Sequence, residues 1–121
     1  MANRREAKTV PVHELPTVLI IGCSREFVER CREGAAKSGT IVRTADPDTV
    51  EAMAATCKPL ALVLTEAGYR HDAPRYDALA ERVRSKLVTV ADEGVPKEEL
   101  EALVVDAVAH VRRVRSSIPP S

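Results

Sequence analysis

Val18-Leu19-Ile20-Ile21-Gly22-Cys23-Ser24 and, further along, Leu60-Ala61-Leu62-Val63-Leu64-Thr65-Glu66 decide the fold of this chain. Each begins as an unbroken apolar run of four or five residues and ends in polar or turn-forming residues. Such runs fit strands buried on both faces, as in a parallel sheet covered by helices. In an open sheet of that kind, ligands bind beyond the carboxyl ends of the strands. Here those ends are Gly22-Cys23-Ser24 and Thr65-Glu66, with no carboxylate pair, no Gly-rich phosphate loop and no His partner. The pattern therefore speaks clearly about fold and sparingly about chemistry.

The segments between and after the runs supply the helices. Ser24 is an N-cap for a helix that carries Phe27, Val28, Cys31 and Ala35 on one stripe and stops near Gly39. Thr40 to Thr44 follows as strand two. Asp46-Pro47 marks the next helix start, and Val50, Met53, Ala54 and Cys57 form its apolar face. Pro59 ends that helix ahead of strand three. Glu66 to Ala73 reads as a loop, Tyr76, Leu79, Ala80 and Val83 as a third helical face, and Leu87 to Ala91 as a short strand four. Pro96 opens a last helix whose buried stripe is Leu100, Leu103, Val104, Ala107, Val111 and Val114. Strands alternating with helices predict a three-layer α/β/α domain, flavodoxin-like, with a short parallel sheet of about four strands in the order 2-1-3-4.

The chain has 121 residues, enough for one domain. Residues 1–16 are expected as a flexible arm carrying Arg4, Arg5 and Lys8, residues 17–115 as the domain, and residues 116–121 as a tail. Eighteen basic residues balance eighteen acidic ones, so no net field draws the chain to nucleic acid or to a membrane surface. Phe27, Tyr69 and Tyr76 are its aromatic residues, too few for a base-stacking platform. No apolar stretch approaches the roughly 20 residues that span a bilayer, and no signal peptide precedes the first strand. Cys23, Cys31 and Cys57 lack metal-ligand or CxxC spacing, as do His13, His71 and His110. The expectation is a reduced, cytoplasmic protein without metal or cofactor.

The order of elements resembles a bacterial response-regulator receiver domain. The resemblance rests on Val18-Leu19-Ile20-Ile21, on Ser38-Gly39-Thr40-Ile41-Val42-Arg43-Thr44-Ala45, on Lys58-Pro59-Leu60-Ala61-Leu62-Val63-Leu64 and on Pro96-Lys97-Glu98-Glu99-Leu100. That family holds Mg²⁺ through acidic residues after strand one, where this chain has Gly22 and Cys23. It accepts phosphate on an Asp at the end of strand three, where Thr65 stands, and its switch hydroxyl falls at Thr89 or, in an equally good register, at Ala91. The fifth strand and its Lys have no counterpart. With no carboxylate to ligate Mg²⁺, the resemblance implies a degenerate receiver that is not phosphorylated on Asp and works through protein contacts.

Three other features carry chemistry. Cys23 lies between a strand and a helix N-terminus, where dipole and free N–H groups lower a thiol pKa. Phosphocarrier domains of the IIB type in sugar transport systems use a Cys at this place, but Ser24-Arg25-Glu26-Phe27 offers one hydroxyl and an opposing charge. A phosphatase loop would need Arg six positions beyond the Cys, and Glu29 stands there. A structural thiol is the alternative. Tyr69, Arg70 and Arg75 sit at the ligand edge as a candidate anion loop, with ordinary loop solubility as the plain reading. On the last helix, Val105 and Val108 widen the apolar stripe, and with Arg112 form either a broad core contact or a face for a partner or a second copy.

Overall fold

In the computed structural model, residues 16–116 are described. The proposed arm, apart from Pro16, and nearly all of the tail lie outside the described residues, as does His13. The elements are β1 (Thr17–Ile21), α1 (Arg25–Lys37), β2 (Ile41–Ala45), α2 (Val50–Cys57), β3 (Ala61–Thr65), α3 (Glu66–His71), α4 (Ala73–Val83), β4 (Lys86–Val90) and α5 (Lys97–Ser116). All four strands run parallel in the order β2-β1-β3-β4. The expected topology is the one observed.

The two central strands are buried from end to end apart from Thr65, which is half-buried. Their alternate side chains divide the core in two. Val18, Ile20, Ala61 and Val63 face α1 and α5, where Phe27, Cys31, Leu100, Val104 and Val108 meet them. Leu19, Ile21, Leu62 and Leu64 face α2 and α4, against Val50, Ala54, Tyr76 and Leu79. This is the three-layer arrangement, with α1 and α5 packed side by side on one face. At Gly34 the two helices approach so closely that a Cβ would stand 3.2 Å from Glu101 Cα.

Local chemistry fixes the boundaries. Ser24 caps α1 by accepting the Phe27 N–H. Gly39 (φ +73°) closes that helix, with Gly39 N–H donating to Ala36 O and Thr40 N–H to Ala35 O. Asp46-Pro47 opens a turn rather than the helix itself: Thr49 N–H donates to Asp46 O, and α2 begins at Val50. Leu100 N–H donates to Pro96 O, so Pro96 does open α5. The segment read as a loop after strand three is instead the short helix α3. Thr65 caps it by accepting the Gly68 N–H at 3.1 Å, and none of its residues is buried. With no apolar face to repeat, it carries no periodic signal.

Candidate functional site

Beyond the end of β1, Gly22 takes φ +64° while its N–H donates to Ala45 O at 2.9 Å. The chain thus leaves the sheet sharply but stays tied to β2. Cys23 follows, half-buried, and its Sγ donates to Ile21 O at 3.4 Å. The sheet reverses winding between β1 and β3, which makes the crevice between Cys23 and Thr65 the expected ligand position. The structure brings these two residues together: the Thr65 backbone amide acts on the Cys23 sulfur. It stabilises the thiolate, but burial outweighs it, and the Glu93 carboxylate adds to burial. The Cys23 thiol is pushed up to about 11. Cys31 is fully buried beneath it and pushed up to about 12, again by burial first. Burial raises Cys57 as well.

The start of α1 is already occupied. Ser24 N–H donates to Glu93 Oε1 at 3.2 Å. Glu93 lies in the turn between β4 and α5, and Arg30 holds that turn by donating to the Glu93 and Val95 carbonyls, the latter at 2.8 Å. The Arg30 guanidinium also lies 5.9 Å from the centre of the Phe27 ring. Glu93 and Arg30 were not singled out from the sequence. A contact spanning sixty-odd residues leaves no local pattern to read. Beside Cys23, between the ends of β1 and β2, is a cavity of about 370 Å³ lined by Gly22, Cys23, Arg25, Arg32, Thr44 and Asp46 among others. Arg32 pairs there with Glu29 at 3.6 Å.

The candidate anion loop does not form. Arg75 donates to both oxygens of Glu51, to Oε1 at 2.6 Å, and to the Pro47 carbonyl. Arg70 pairs with Glu66 at 3.4 Å. Tyr69 donates to Asp77 at 2.7 Å, and this bond raises its pKa. Each group lies on α3 or α4 and faces a carboxylate, so the three do not converge. His71 is exposed at the end of α3, and Asp72 lies 3.9 Å from Arg75. Thr89 is half-buried on edge strand β4, in register with Leu64 beside Thr65 and two strands from β1, which leads into Cys23.

The expected partner face is also rearranged. Val108 is 1% exposed and belongs to the core, whereas Val105 is exposed. Arg112 donates to the Ser38 carbonyl at 2.8 Å, bracing the end of α1. The broad core contact accounts for Val108 and Arg112. Among the described residues, no group of three or more His, Cys, Asp or Glu side chains is placed to hold a metal. Among the described residues, no helix is long and apolar enough to cross a membrane.

No family model matches the chain, and no curated protein does. A solved structure similar to it is the lactose-specific IIB component domain of the phosphoenolpyruvate:carbohydrate phosphotransferase system from Streptococcus pneumoniae. The two are 17% identical with a TM-score of 0.47, over 83% of this chain and 96% of that one. The receiver resemblance is corrected: no family model matches the chain, and the described sheet ends at β4 without the fifth strand a receiver implies.

Proposed function

We propose that this chain is a non-catalytic signalling or scaffold module that acts through protein contacts. The observation that carries the reading is the mutual satisfaction of reactive groups at the carboxyl edge of the sheet. Cys23 is held protonated by burial, Glu93 takes the Ser24 amide, and Arg75 is committed to Glu51. Ligand sites ordinarily leave convergent polar groups open toward a pocket. The three cysteines are free thiols, in keeping with a reducing cytoplasm. Incubation with Mg²⁺ and acetyl phosphate tests the reading by intact mass. An unchanged mass is expected, and a stoichiometric phosphoryl adduct would overturn it.

A second reading makes Cys23 a phosphocarrier or redox thiol. Its support is position: Cys23 lies in the turn that opens the crossover from β1, two residues ahead of α1, and lines a cavity that also holds Arg25 and Arg32. In that chemistry the thiolate attacks phosphorus of a phosphoryl donor. The S–P bond forms as the donor–phosphorus bond breaks, and the thiol proton passes to solvent. Iodoacetamide labelling at neutral pH separates the two readings. Slow labelling of Cys23 supports the first, and labelling faster than an unperturbed thiol supports the second.

A further inference from the structure

Among the described residues, the outer edge of β4 is open. Lys86 N–H donates inward to Leu60 O at 2.9 Å, and Lys86, Leu87 and Val88 register with Ala61, Leu62 and Val63 of β3. Main-chain groups of successive strand residues alternate between the two edges. Lys86, Val88 and Val90 therefore point theirs into the sheet, and Leu87 and Thr89 point theirs outward. Among the described residues no strand covers this side of β4. Such a row of donors and acceptors is a template for another strand.

The edge is also the floor of a groove. A cavity of about 470 Å³ lies between β4 and the near flank of α5, lined by Val88, Thr89, Leu103, Asp106, His110 and Arg113 among others. On α5 these residues continue the 3-4 spacing Glu99, Leu103, Asp106, His110, Arg113, which is one stripe of a helix. The stripe is neither wholly apolar nor of one charge. Acidic groups sit toward its start, basic groups toward its end, and Leu103 lies between Glu99 and Asp106.

We propose that a second copy of this chain occupies the groove, pairing β4 with β4 in antiparallel fashion about a two-fold axis at Val88. That register sets Leu87 opposite Thr89 of the second copy. Both have outward main-chain groups, so each such pair exchanges two hydrogen bonds, and the axis repeats the pair. Two four-stranded sheets become one continuous sheet. The same axis passes near residue 108 of α5, the middle of the cavity lining, and makes the two α5 helices antiparallel neighbours. It brings Asp106 against His110 of the second copy. Arg113 of the second copy lies over Leu103, between Glu99 and Asp106. Charge order is what selects a second copy over an unrelated peptide: reversing the stripe sets Asp106 against His110 and carries Arg113 to the gap between Glu99 and Asp106. The inference goes beyond the functional reading above and holds whether or not Cys23 reacts.

Sedimentation velocity of the full chain tests it. The wild type is expected to associate reversibly to a dimer across the micromolar range. Asp106→Lys opposes His110 and Arg113 of the second copy, and His110→Glu opposes Asp106. Each alone is expected to weaken association by roughly tenfold or more. An equimolar mixture of the two variants restores the dimer, because the introduced lysine then faces the introduced glutamate. Thr89→Pro removes an outward N–H without touching the β3 ladder and is expected to give a folded monomer by circular dichroism. A monomeric wild type, including one that captures an extended peptide at β4, would overturn the proposal. Dimerisation unaffected by these variants, or a mixture that stays monomeric, would do the same.

Discussion

Ser24 donates its backbone N–H to Glu93 Oε1 across 3.2 Å, so a carboxylate from the β4–α5 turn stands at the start of α1. A helix N-terminus ordinarily attracts an anion, and here the chain supplies its own. The same carboxylate acts on Cys23. It works with burial to keep the thiol protonated, against the lowering effect of the Thr65 amide.

Glu93→Gln removes that charge while keeping an acceptor for Ser24. The Cys23 pKa is expected to fall, and its alkylation by iodoacetamide at pH 8 to quicken. Burial is the larger cause, so Cys23 in the variant stays slower than an unperturbed thiol. Cys31, fully buried and reached only when the packing opens, provides the control for local opening. Peptide mass mapping reads both rates. Equal acceleration at both cysteines would show loosened packing rather than an electrostatic effect.

Gly34 and Glu101 yield a prediction whose sign runs against helix propensity. Ala is better than Gly inside a helix by about 0.5–1 kcal/mol. At Gly34, however, the added carbon meets the α5 main chain at Glu101 Cα, which cannot swing aside as a side-chain tip does. Gly34→Ala is expected to forfeit the propensity gain. Gly34→Val should cost about 1–3 kcal/mol by overpacking. Urea unfolding measures both, and a stabilised valine variant would show that α1 and α5 part freely.

The core prediction also explains what was legible in the sequence. Leu62 is fully buried at the centre of β3, so Leu62→Ala should cost about 2–5 kcal/mol by urea unfolding. Val105 is 37% exposed, and Val105→Ala should be close to neutral. Leu62 lies in an unbroken apolar run, and such runs announce both the strand and its burial on two faces. Val105 and Val108 are alike in residue type, and their fates differ because α1 packs against one side of α5. Helical spacing gives a stripe but not its edges. At the site, the strand-turn-helix pattern sets Cys23 between β1 and α1, whereas the burial that keeps it protonated, and the Glu93 carboxylate that adds to it, are brought there only by the fold. Arg75 looked like an anion ligand because nothing local to it reveals Glu51, twenty-four positions upstream.

The Arg75–Glu51 pair sets an expected pH dependence. Arg75 on α4 grips Glu51 on α2 and the Pro47 carbonyl ahead of that helix. The hydrogen bond from Arg75 is the largest influence on Glu51 and holds its carboxyl below the ordinary value of 4.5. A carboxyl with a lowered folded pKa binds its proton more weakly in the folded state than in the unfolded one. Its contribution to stability is fully present above pH 4.5 and disappears as pH falls through the lowered folded value. Glu51→Gln should therefore lower Tm at pH 7 and lose that difference in acid. The pair is partly exposed, so added salt should narrow the gap at pH 7. Thermal unfolding of the two proteins from pH 7 to pH 3 makes the comparison. A Tm difference that persists undiminished at pH 3 would mean that Glu51 stabilises α2 by packing, not by its charge on Arg75.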